Sequence, residues 1–86
     1  MFALVWEDTA LDQLADAYVA AGSEDRAQMA AGVEALNTRL RDDPLAVGES
    51  RAGGFRIGFV PRLAILFHVS EADRTVRVVR LRRSRR

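Results

Sequence analysis

The chain has 86 residues, no cysteine, one histidine and a formal net charge of +1. That length makes one domain with a thin core, and the residue counts exclude disulfides, thiolate metal sites and a structural zinc site. No apolar run approaches the roughly 20 residues that cross a bilayer, and Met1 to Asp8 lack the basic flank and apolar stretch of a signal peptide, so a cytoplasmic protein without membrane partner, metal or cofactor is expected.

Phe2 to Trp6 is a short apolar run that reads as a strand. Asp8 and Thr9 are N-cap candidates, and Thr9 with Asp12 resembles a capping box. Leu11, Leu14, Ala15, Tyr18 and Ala21 then recur at helical spacing, and Gly22 ends this helix as a C′ residue. Ser23 caps a second helix, and Glu24 and Asp25 suit its positive end. Met29, Val33, Leu36 and Leu40 form the second apolar stripe, which must stop before Pro44. The short Gly22-Ser23 junction predicts an antiparallel helix hairpin.

Residues 42–54 read as a loop punctuated by Pro44, Gly48, Gly53 and Gly54. Three strands follow: Phe55 to Val60, Arg62 to Val69 after a tight Pro61-Arg62 turn, and Thr75 to Arg82 after a polar turn over 70–74. Residues 83–86 are expected to be a mobile tail. The order β-α-α-β-β-β gives the α+β class, in one domain over 1–86. A helix hairpin packs on one face of a mostly antiparallel four-stranded sheet. Alternation separates Phe55, Ile57 and Phe59 from Arg56, Gly58 and Val60. It also separates Leu63, Ile65, Phe67 and Val69 from Arg62, Ala64, Leu66 and His68. With the apolar sets turned to the helices, Arg56, Arg62 and His68 meet on the open face, within reach of arginines from the last strand.

Charge is divided along the chain. Residues 1–50 carry ten acids and three arginines, a net of −7; residues 51–86 carry ten arginines and two acids, a net of +8. Every basic residue but the histidine is arginine, which grips phosphate bidentately and is a poor proton-transfer catalyst. The basic half is therefore suited to a polyanion or an acidic partner protein. His68 alone has an ordinary pKa near neutrality and reads either as general acid or base or as a structural strand residue. Arg56 and Arg62 read as phosphate contacts or as solvated charges. Arg51 can meet phosphate or pair with Glu49 or a helix carboxylate. Trp6 and Tyr18 read as core. Gly53-Gly54 lacks the spacing and following helix of a nucleotide-binding loop.

A set of local features runs along nearly the whole chain: Val5-Trp6 followed by Ala10-Leu11, the Arg39 to Pro44 end of the second helix, and Gly48-Glu49-Ser50-Arg51. Phe55-Arg56-Ile57, Leu63 to Val69 and the strand Thr75 to Leu81 continue it. In this order and at this length they resemble the RelE/ParE superfamily, the toxin half of type II toxin–antitoxin pairs. In its nuclease branch the resemblance implies metal-independent, ribosome-dependent mRNA cleavage. The RNA 2′-OH attacks the adjacent phosphate, leaving a cyclic phosphate and a free 5′-OH. Such chemistry needs a base, charge stabilisation and a proton for the leaving oxygen. Carried over by position, Arg56 stands where a strand-two lysine is expected and Gly58 where a second lysine is. Arg62 matches a third-strand arginine on the scissile phosphate, and Arg82 or Arg83 a C-terminal arginine. The family's C-terminal tyrosine has no counterpart in this sequence. With His68 these arginines form the expected catalytic set, and Arg51, Arg80 and Arg85 the expected RNA-binding set. The ParE branch implies instead a non-enzymatic inhibitor of DNA gyrase, and a decayed member would only bind its antitoxin. The implied partners are a cognate antitoxin, whose extended and often acidic segment covers basic residues, and mRNA on the ribosome or, alternatively, gyrase.

Overall fold

The structure, a computed structural model, describes residues 1–84. Its elements are β1 (Ala3–Trp6), α1 (Asp8–Ala20), α2 (Ser23–Asp42), β2 (Glu49–Ser50), β3 (Phe55–Val60), β4 (Leu63–Ser70) and β5 (Thr75–Arg83), with 3-10 turns at Pro44–Ala46 and Ala52–Gly54. The sheet has five strands in the order β1-β5-β4-β3-β2. All neighbours are antiparallel except β1, which runs parallel to β5. The α+β class and the helix hairpin stand as read. The extra strand is β2, two residues within the expected loop, held against Arg56 and Ile57.

α2 buries the stripe read from its sequence: Met29, Val33, Leu36 and Leu40 are all buried. They meet Leu63, Ile65, Phe67, Val76 and Val78 of the sheet in one apolar cluster. α1 with its C-cap keeps Leu14, Tyr18 and Ala21 of its expected stripe against the core but turns Leu11 and Ala15 outward. It buries Ala10 and Ala17, while Leu11 is 47% exposed. Trp6 and Tyr18 pack against the cluster from its rim, and Trp6 Nε1 donates to Asn37 Oδ1 at 2.9 Å, which satisfies the indole as it leaves water.

The helix junction differs in detail. Glu7 rather than Asp8 or Thr9 is the N-cap of α1, without a side-chain bond. Gly22 is the N-cap of α2, with φ −69°, so it is not a left-handed C′ residue, and Ser23 is already inside the helix. Arg26 closes the hairpin instead. Its Nε and one terminal nitrogen donate to Tyr18 O and Ala21 O, each at 2.9 Å, tying down the end of α1, where Tyr18 O also accepts from Ala21 N–H at 3.3 Å.

Of the tail expected over 83–86, Arg83 and Ser84 are held by backbone pairing. Arg83 pairs with Leu63 in the β4–β5 ladder, and Ser84 N–H donates to Arg62 O at 2.8 Å. Backbone pairing outweighs the absence of apolar side chains there; Arg85 and Arg86 lie outside the described residues. No helix among the described residues is long and apolar enough to cross a membrane.

Candidate functional site

The helices cover one face of the sheet and leave the other open. Residues opposite one another in a ladder share a face, so the register fixes what the open face carries. One row across it is Val5, Arg77, His68 and Phe55. The next is Arg80, Leu66, Ile57 and Glu49, and the third is Arg82, Ala64 and Phe59. Arginines thus form a column along β5, and Phe55, Ile57 and Phe59 form an apolar column along β3. A shallow cavity of about 140 Å³ lies where the columns meet, among Ile57, Ala64, Leu66 and Arg80 to Arg82.

Arg56, Arg62 and His68, expected together, are separated. Arg56 lies opposite the buried Phe67 and therefore on the helix side of the sheet. Its Nε donates to Val47 O at 2.8 Å and a terminal nitrogen to Gly48 O at 3.2 Å. The guanidinium thus secures the segment that leads into β2. Gly58 shares that side. A Cβ there would lie within 3.4–3.7 Å of Phe67, Val47 and Leu36, so a lysine at this position would point into the core rather than toward a substrate.

Arg62 sits in the β3–β4 turn with φ 69°. A proline followed by positive φ is the pattern of a type II turn, and it aims the arginine at α2. There it pairs with Asp25 at 2.9 Å, the two side chains being 53% and 38% exposed. Arg62 borders an open cleft with Arg82, Arg83 and Ser84, which is the only part of the expected catalytic set brought together.

His68 does reach the open face. Its ring meets Phe55 edge-on with centroids 4.9 Å apart, and Gly54, with φ 80°, lies so close that a Cβ there would be 2.9 Å from Nε2. Arg77 is its cross-strand neighbour. Among the described residues no carboxylate or carbonyl orients the imidazole, as a general acid or base requires. Arg51 forms the pair with Glu49, at 3.2 Å between half-exposed side chains. Arg80 lies on the open face, and Arg85 lies outside the described residues.

The sequence reading missed Arg77 and the outward β3 column. One signal was available. Val60 and Leu63 flank a two-residue turn and pair directly, and residues flanking such a turn share a face. Leu63 belongs to the core, so Val60, Gly58 and Arg56 had to face the helices too.

No protein-family model matches the sequence, and no curated protein does. Solved structures do match. A chain of the chromosomal ParDE TA system from P. aeruginosa superposes with a TM-score of 0.72 at 20% identity, over 96% of this chain and 96% of that one. A chain of the RelBE2 toxin–antitoxin complex from Mycobacterium tuberculosis gives 0.73 at 20% identity, over 99% and 93%. One of the intact E. coli RelBE toxin–antitoxin complex gives 0.68 at 14% identity, over 100% of both. Identities this low speak for fold alone, and the fold is RelE/ParE-like.

Proposed function

We propose that this chain is the toxin of a type II toxin–antitoxin pair, acting in the cytoplasm, and that it disables its target by binding rather than by cutting RNA. The target class favoured is DNA gyrase, as the ParE branch implies. The observation that carries the reading is the open face itself. Its arginine column and apolar column suit a protein surface, where apolar contact supplies affinity and charge supplies steering. Cleavage would need a base, an acid and a phosphate grip within hydrogen-bond reach of one reacting centre. Arg56 is across the sheet from His68, and Arg62 is engaged by a helix carboxylate.

A second reading, metal-independent mRNA endoribonuclease on the ribosome, is favoured by one observation, the adjacency of His68 and Arg77 on the open face. Two assays separate the readings. Expression of the chain alone should arrest growth, and co-expression of the antitoxin should relieve it. Purified protein should then inhibit gyrase supercoiling at micromolar concentration, and Arg80→Glu with Arg82→Glu should abolish that inhibition. Translating ribosomes should yield no new 5′-OH ends in mRNA. Cleavage of mRNA that disappears in His68→Ala would overturn the binding reading in favour of the nuclease.

A further inference from the structure

α1 turns two columns of side chains away from the core. Asp8, Asp12 and Asp16 are exposed, and so are Leu11, Ala15 and Val19 beside them, Leu11 by 47% and Val19 by 83%. Residues four apart on a helix lie one above another, about 6 Å along its axis. The outer surface of α1 is thus an acidic column next to an apolar one. No described residue forms an ion pair with the three aspartates. An exposed apolar row rimmed by charge is the composition of a contact surface.

The open face carries the opposite charge at nearly the same pitch. Arg77, Arg80 and Arg82 are unevenly spaced in sequence. The irregularity between Leu66 and Phe67 absorbs the extra residue of β5, so the three arginines stand opposite His68, Leu66 and Ala64. Those partners are two residues apart along β4, a step of about 6.6 Å at the rise of a strand. Leu66 and the β3 column of Phe55, Ile57 and Phe59 lie alongside.

We propose that α1 of one copy docks on the open face of a second copy of this chain, aspartate column on arginine column. The helix can lie along β5 in two directions, and one of them sets Leu11, Ala15 and Val19 over Leu66 and the β3 column. The charge pairs fix register and speed encounter, and the apolar contact adds affinity. α1 packs on the core side of the sheet, opposite the open face. A docked copy therefore leaves one surface of each kind free, and the contact repeats head to tail. The product is an open stack rather than a closed dimer. Every copy but the last in a stack has its open face covered, so stacking competes with any target bound there. The match of the two surfaces does not depend on what that target is.

The test is sedimentation equilibrium of the full chain. The weight-average mass should rise with protein concentration past two copies. Raising salt from about 50 to about 500 mM should weaken association about 10-fold, as exposed charges are screened. Asp12→Arg with Asp16→Arg, and Arg80→Glu with Arg82→Glu, change exposed side chains, and each pair should leave the chain monomeric. Mixed, the two variants should associate again, because the unaltered helix of one fits the unaltered face of the other and the two reversed surfaces also match. A chain carrying all four changes exchanges the two signs and should stack by itself. Glu34→Arg with Asp42→Arg, the same change of charge on α2, should weaken stacking less than about 3-fold. A wild-type chain that stays monomeric at millimolar concentration or a mass that stops at two copies overturns the proposal. So do variants that remain monomeric when mixed, and loss of stacking in the α2 variant.

Discussion

The guanidinium of Arg56 does structural work that its place in the sequence does not announce. Two carbonyls, Val47 O and Gly48 O, turn inward where the chain crosses from the 3-10 turn to β2, and Arg56 is the donor for both. Gly48 has φ 68° and sits against Ile57 O so tightly that any Cβ would collide with it, so the segment has no room to bring Val47 O to another protein donor. Replacing the arginine leaves the part-buried Val47 O without this donor, while the exposed Gly48 O can turn to water, a loss of about 2 kcal/mol by the scale of charge-assisted hydrogen bonds. Arg56→Met should therefore lower the urea midpoint at unchanged slope, and Arg56→Lys, with one point charge in place of a fork, should recover only part of the loss. A surface phosphate ligand would show neither effect, since exposed charges contribute little to stability. Wild-type stability in Arg56→Met would return Arg56 to the list of ligand contacts.

Elements were legible to different depths, for physical reasons. α2 was readable because its stripe of Met29, Val33, Leu36 and Leu40 meets a flat sheet, so burial follows the helical period. α1 was read only in part because it buries the small Ala10 and Ala17, whose signal is weaker than that of the exposed Leu11. β2 has two residues, below any periodic signal. The arginines of β5 were visible as a group. Their partition was not, because the irregularity at Leu66/Phe67 shifts the register of β5 between Arg77 and Arg80. The inverted face of β3 was legible through its turn, although the apolar pattern of Phe55, Ile57 and Phe59 argued the other way. The helix junction yields a prediction of its own. Gly22 has an ordinary negative φ, caps α2 without a side-chain acceptor, and has nothing within 4 Å of its Cβ position. Serine there adds an acceptor for the first turn and reduces the freedom of the unfolded chain. Gly22→Ser should raise stability by about 1 kcal/mol in thermal or urea unfolding. A loss of that size would mean that the residue needs the left-handed conformation after all.

At the scale of the whole molecule the near-zero net charge conceals a separation between layers. The helices carry Asp8, Asp12, Asp16, Glu24, Asp25, Glu34 and Asp42 against Arg26, Arg39 and Arg41, a net of −4, while the rows of the open face carry Arg77, Arg80 and Arg82 against Glu49 alone. An anion approaching from the helix side is repelled and one approaching the open face is attracted, so association has a direction that the total of +1 does not convey. Salt dependence reads the local charge rather than the total. Each arginine that neutralises a phosphate of a single-stranded oligonucleotide adds about 0.7 to the downward slope of log K against log salt. If the open face is the anion-binding surface, Arg80→Ala and Arg82→Ala should each flatten that slope by about 0.7. Glu34→Gln, which changes net charge by one unit in the opposite direction on the helix layer, should leave it unaltered. Fluorescence anisotropy with a labelled oligonucleotide between about 50 and 200 mM salt, the range over which such slopes are usually resolved, measures all three. A steepening of the slope in Glu34→Gln as large as the flattening in the arginine variants would mean that only net charge matters, and the division of the fold into an acidic layer and a basic face would then have no bearing on what it binds.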